Sequence, residues 1–226
     1  MLLSAAMSLD GYIDDAAPER LVLSDEADLD RVDELRAGSD AIMVGARTIR
    51  RDNPRLLVRS AERQRHRIAA GAAASPRKVT VTSTGELDPA ARFFTATSEM
   101  GPDEPPLVYL GTGAAPSRRE RLAAVADVIP VPVLIADLGW VLADLAGRGV
   151  RRLMVEGGAS LLGQFLTAGL ADELLLAVAP FFVADPAAPR LVASGPAGRM
   201  RLAGIAAAGD IAVLRYLPRP RDLPGP

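Results

Sequence analysis

Val150-Arg151-Arg152-Leu153-Met154-Val155-Glu156-Gly157-Gly158-Ala159-Ser160-Leu161-Leu162 constrains the fold more than any other stretch. Val150, Leu153, Met154 and Val155 form an apolar run of strand length, and a glycine pair ends it. Leu161, Leu162, Phe165 and Leu166 then recur at helical spacing. A strand that turns into a helix over two glycines belongs to α/β architecture. Glycines let the backbone turn sharply and leave no Cβ between the peptide N–H groups and a ligand. A helix starting near Ala159 offers unpaired N–H donors and a positive dipole end, which suits a phosphate. Glu156 ends the strand at its carboxyl side, where open α/β sheets bind ligands. The same residues also fit a tight turn with a surface glutamate, so two readings stand at this point.

The chain has 226 residues, enough for one large α/β domain. Net charge is −2, which gives no electrostatic footprint for nucleic acid or an anionic membrane. Cysteine is absent, which excludes disulfides, thiolate metal sites and a catalytic thiol; a lone histidine, His66, builds no multi-histidine metal site. No apolar run reaches membrane-spanning length and no basic n-region opens the chain, so the expectation is a cytoplasmic protein with no metal, no nucleic-acid partner and no membrane partner.

Strands are expected at 1–7, 41–44, 78–82, 107–110, 128–133, 173–183 and 211–217, besides the one before Glu156. Ser24 reads as an N-cap, with acidic residues in the first turn after it and Leu29, Val32 and Leu35 on one face. Gly38 stops that helix, Asn53-Pro54 ends a turn carrying Thr48 and Asp52, Ser117 reads as a cap, and Asp137 caps another helix. Residues 60–76 read as a surface excursion of uncertain order. The arginines of TIRRDNPRLLVR (48–59) fit either a polar-ligand site or a solvated basic loop. Strand and helix alternate until two strands come in succession. This predicts a three-layer, mainly parallel sheet with an antiparallel C-terminal edge, one domain over 1–217 and a frayed tail over 218–226.

Four motifs stand in one register: Ser8-Leu9-Asp10-Gly11, Val44-Gly45-x-x-Thr48, Thr48-x3-Asp52-x-Pro54-x-Leu56-x2-Arg59, and Glu156-Gly157-Gly158-x-Ser160-Leu161. Together they resemble the pyrimidine reductases of riboflavin biosynthesis, over essentially the whole chain to about Leu217. The resemblance implies a dihydrofolate-reductase-like fold and NADPH-dependent reduction of a ribosylaminopyrimidine 5′-phosphate, with hydride going to C1′ of the ring-opened sugar. It implies NADPH contacts from Thr48, Asp52, Ser83 and the backbone of Gly157, Gly158, Ala159, Ser160, Leu161 and Gly163. Arg36, Leu56, Arg59 and Glu156 would contact substrate, the two arginines as phosphate ligands. Glu156 and Asp52 are the candidate catalytic residues, with no strong general acid in view; Asp10 is expected to order its loop. Arg118 and Arg119 are expected to meet a 2′-phosphate. Relatives are dimers, and the apolar run 173–183 could support a homodimer here. Arg20 and Val22 depart from the pattern of the bifunctional relatives, and their deaminase half, with its zinc-binding residues, has no counterpart in the sequence. Rival readings are a pteridine- or folate-type reductase of the same fold and a nucleotide-binding regulator without turnover.

Overall fold

The computed structural model describes residues 1–15, 17, 21–131, 137–191 and 199–219. Its strands are β1 (Leu2–Ser8), β2 (Ala41–Gly45), β3 (Arg77–Thr82), β4 (Leu107–Gly111), β5 (Asp127–Val131), β6 (Leu153–Glu156), β7 (Glu173–Ala179), β8 (Met200–Ala208) and β9 (Ile211–Pro218). They form one sheet in the order β5-β4-β3-β2-β6-β1-β7-β9-β8. Pairings from β5 through β7 are parallel, and β9 and β8 close the edge antiparallel. The helices are α1 (Glu26–Ala37), α2 (Ala46–Asp52), α3 (Ala61–Ala69), α4 (Arg92–Thr95), α5 (Pro116–Ala123), α6 (Leu138–Gly147) and α7 (Ala159–Ala168).

The alternation of strand side chains explains the three layers. Ala41 and Met43 of β2, with Leu107 and Tyr109 of β4, join Val141, Leu145, Leu161 and Phe165 in one core. Ile42 and Val44, with Val108 and Leu110, join Ile49, Phe93, Phe94 and Leu122 in a second core on the other face. A sheet covered on both faces needs continuous apolar strands, which is what Ala41–Val44 and Leu107–Leu110 supply.

Several local expectations are corrected. The cap of α1 is Asp25, not Ser24: its Oδ1 accepts from the Asp28 N–H at 2.8 Å, and Oδ2 also accepts from the Asp210 N–H at the β8–β9 turn. That second contact pins Asp25 at the helix start. Leu29, Val32 and Leu35 are only partly buried, whereas Asp28 and Asp33 are fully buried. Residues 61–69 are ordered as α3, because Ser60 caps the helix and Arg63 and Arg67 bond Asp30 and the Ala37 and Ser39 carbonyls. Ala115 precedes α5, with Pro116 at its first position, so Ser117 is not the cap. The strand expected to run to residue 183 stops at Ala179, where Pro180 follows and has no N–H to give a ladder. Strand β8 was not foreseen. Asp137 does cap α6, and Asn53 in the left-handed region ends α2. Positions 132–133 of the expected strand, Arg20, and residues 220–226 of the tail lie outside the described residues.

Candidate active site

Strand β6 has four residues, and its last, Glu156, stands opposite Ser4 of β1. Its neighbours are longer: β1 continues to Ser8 and β2 to Gly45. The early stop leaves a notch at the carboxyl end of the sheet. Small side chains at Ser4, Ala5 and Ala6 line that notch, together with Gly45. A cavity of about 590 Å³ occupies it, within the range of small-molecule sites.

The backbone of the notch is built by glycines. Gly157 has φ +68° and Gly158 φ +84°, both left-handed values that favour glycine. A Cβ on Gly158 would approach Thr48 Oγ1 to 3.0 Å, so α2 lies directly against the turn; one on Gly157 would meet nothing within 4 Å. No side chain caps α7, and its first-turn N–H groups have no acceptor within the helix. The open space over Gly157 and these donors therefore fit the phosphates of a dinucleotide.

Ten of the expected site residues surround this cavity: Arg36, Thr48, Asp52, Leu56, Glu156, Gly157, Gly158, Ala159, Ser160 and Leu161. Thr48 and Asp52 come from one side of α2, four residues apart. Leu56 is buried at φ +55°, a left-handed value that is strained for leucine. Val22 also lines the cavity. Three expected residues are not in the lining. Gly163 sits one turn inside α7, and Ser83 is exposed just beyond β3. Arg59 is exposed and lies on α1, with Nη2 donating to the Leu29 carbonyl at 2.6 Å and Nε 3.7 Å from Asp33.

Arg36 and Glu156 meet in a two-pronged pair, with Nε to Oε1 and Nη2 to Oε2 both at 2.6 Å and both side chains largely buried. Burial acts to lower the Arg36 pKa, but the charge and hydrogen bonds of Glu156 prevail and raise it above its usual value. This fork fixes the carboxylate in one orientation. It also occupies the Nε/Nη2 edge of the guanidinium, while Nη1 reaches the Leu57 carbonyl at 3.3 Å. The sequence contained both residues but no signal that they pair across the site.

Asp10 accepts from Ser8 Oγ and from the Val183 and Ala184 N–H groups, tying the β1 loop to the chain after β7. Arg118 is paired to Glu86 at 2.7 Å and borders a separate groove with Arg50 and Gly85. Among the described residues, no cluster of His, Asp and Glu is arranged to hold a metal, and no helix is long and apolar enough to cross a membrane.

A family model described as the RibD C-terminal domain matches residues 1–214. The chain is 37% identical over 192 residues to a Methanothermobacter thermautotrophicus protein named 2,5-diamino-6-ribosylamino-4(3H)-pyrimidinone 5′-phosphate reductase, covering 85% of this chain and 82% of that one. An Archaeoglobus fulgidus protein of the same name is 36% identical, over 84% of each chain. Among solved structures, a pyrimidine reductase-like protein from Corynebacterium diphtheriae superimposes with a TM-score of 0.81 at 24% identity, covering 97% of this chain and 91% of that one. That likeness shows the fold, which is the dihydrofolate-reductase-like one.

Proposed function

The chain belongs to the RibD C-terminal domain family, and from that premise we propose that it is an NADPH-dependent reductase of riboflavin biosynthesis, converting the ribosylamino group of a phosphorylated aminopyrimidine to a ribitylamino group. The observation that carries the reading is the junction at Glu156-Gly157-Gly158. It sets an oriented carboxylate, an open glycine turn and an uncapped helix start around one cavity. The names of the archaeal relatives support it at the level of a pyrimidinone phosphate reductase.

In this reading Thr48, Asp52, Ser83, Gly163 and the turn Gly157–Leu161 hold the cofactor, and Arg36, Leu56, Arg59 and Glu156 hold the substrate. A bound nicotinamide supplies the hydride. The chain contributes position: the notch shields the reacting carbon from water, and Leu56 and Gly45 give it apolar walls. Glu156 accepts from Arg36 through both carboxyl oxygens, and the remaining lone pairs of those oxygens take hydrogen bonds from substrate N–H or O–H groups. Arg36 aims that carboxylate. Arg59 is left as the phosphate ligand. The same proposal takes 1–217 as one reductase unit, in the cytoplasm, acting as a homodimer.

The test follows NADPH oxidation with phosphoribosylaminopyrimidines and with dihydrofolate in parallel, and titrates NADPH against NADH. We expect turnover of the pyrimidines alone and tighter NADPH binding. Turnover of dihydrofolate, or cofactor binding without any reduction, would overturn the assignment in favour of the folate-type reductase or the regulator.

A further inference from the structure

Helix α1 presents Asp28, Arg31, Val32 and Arg36 to the cavity, at a spacing that keeps them on one side of the helix. Its C-terminal end holds Glu156 through Arg36. Its N-terminal end carries a pair with no role so far. Arg31 donates through Nε at 2.8 Å and Nη2 at 2.6 Å, and both bonds fall on the same oxygen, Oδ1 of Asp28. Asp28 Oδ2 and Arg31 Nη1 are buried and, among the described residues, have no hydrogen-bond partner. Asp28 itself has no exposed surface. The usual arginine–carboxylate fork satisfies both oxygens. This one leaves an acceptor and a donor vacant beside a ligand cavity.

Buried unpaired polar groups are costly, and native proteins keep few of them. Among the described residues the other one is Gln64 Oε1, and Gln64 does not line the cavity. Two vacancies on one pair at the cavity wall therefore mark a place that a ligand completes. The complement is a flat edge with an N–H donor beside a carbonyl acceptor.

We propose that Asp28 and Arg31 read the ring edge of the pyrimidine, Oδ2 accepting from an amino N–H and Nη1 donating to an acceptor on the same edge. The proposal rests on the function given above and deepens it. A carboxylate oxygen accepts and does not donate. A 2-amino-4-oxo ring offers amino and ring N–H donors flanked by a carbonyl. A 2,4-dioxo ring puts a carbonyl oxygen where the amino group was, and two acceptors then face each other. The pair thus selects the aminopyrimidine over the uracil, so this reduction precedes the hydrolytic deamination that removes the 2-amino group. About eight residues of helical rise, roughly 12 Å, separate Asp28 from Arg36, so ring edge and sugar are held at opposite ends of α1.

The experiment measures kcat/KM for the 2-amino-4-oxo and 2,4-dioxo phosphoribosylaminopyrimidines with wild type and Asp28→Asn, and binding of both by calorimetry. Asn has the same size and donates an N–H that suits the 2-oxo group. Wild type should favour the amino ring by roughly 10- to 100-fold, the reach of one hydrogen bond to a charged group. Asp28→Asn should collapse or invert that ratio while NADPH binding stays the same. An unchanged ratio in Asp28→Asn, or no preference in wild type, overturns the proposal and leaves the pair structural. If Asp28→Asn does not fold, Asp28→Glu keeps the charge and must keep the sign of the preference. If wild type reduces neither pyrimidine, the enzymatic reading fails by itself, and the calorimetric ratio still decides on the ring-edge contact.

Discussion

Glu156 and Arg36 stand 120 positions apart in the chain and meet through two hydrogen bonds of 2.6 Å. Glu156→Gln keeps the shape and one acceptor but leaves a largely buried guanidinium without its counter-charge. We expect a stability loss of about 1–3 kcal/mol, read as a lower melting temperature, because a charged group loses a hydrogen-bonded partner. The kcat/KM for the pyrimidine should fall, while NADPH binding, which uses the adjacent backbone, changes little. A retained rate would show that the carboxylate does not touch substrate. Asp10 carries a second prediction at this scale. Some desolvation acts to raise its pKa, but hydrogen bonds from Ser8, Ala184 and Val183 outweigh it and hold the carboxyl at about 2 rather than 3.8. The folded-state value is the lower one, so the stabilisation is present above pH 3.8 and is lost as pH falls through about 2. Wild type should therefore melt above Asp10→Asn at neutral pH, with the gap closing across that acid window. A gap constant from neutral pH down to pH 2 would mean the charge plays no part.

The junction between β6 and α7 works as an element because its two glycines do different things. Both have positive φ, so any side chain there carries the strain of the left-handed region, roughly 1–2 kcal/mol. At Gly158 a methyl also runs into Thr48 Oγ1 at 3.0 Å and must push α2 away, whereas at Gly157 it meets open space. Gly158→Ala should thus destabilise more than Gly157→Ala in thermal melts. Both should weaken NADPH binding, the first by moving Thr48 and the second by standing where the cofactor lies. Equal stability of the two variants would contradict the contact with Thr48. This junction was legible in the sequence because its signals are local: an apolar run, a glycine pair and a helical repeat. Strand β8 was not. Its sequence, Met200–Ala208, is mostly alanine and glycine with little β-branched content, and its pairing with β9 comes from tertiary contact rather than propensity. The Asp28–Arg31 pair was equally hidden, since an acidic first turn reads as dipole compensation and nothing local says that Asp28 is buried.

At the scale of the molecule, the sheet order places the apolar run 173–183 differently from its linear reading. Its strand portion, β7, is flanked by β1 and β9, so its hydrophobicity is explained by burial within one chain. Among the described residues the β8 edge has no partner strand on its outer side, and Leu202 and Ile205 on it are 46% and 69% exposed. An apolar strand left at a sheet edge is a template for pairing with another chain, which native proteins usually block with charge, proline or a cover. Arg201 is the one charged residue of this strand. The strand carries no proline, and a register shift between Leu202 and Gly204 bends it. The proposed homodimer therefore finds its surface at β8 rather than β7. Ile205→Lys places a charge at the most exposed apolar position of this strand without touching either core, so the fold should survive with its melting temperature nearly unchanged at low concentration. Sedimentation velocity should show wild type as a dimer and the variant shifted to monomer by at least tenfold in dissociation constant, about 1.4 kcal/mol. The cavity is lined by residues of β1, β2, β3, β6, α1, α2 and α7 and by no residue of β8, so the monomeric variant should still bind NADPH. A variant that stays dimeric would move the interface elsewhere, and one that loses cofactor along with its partner would mean that the second chain shapes the site.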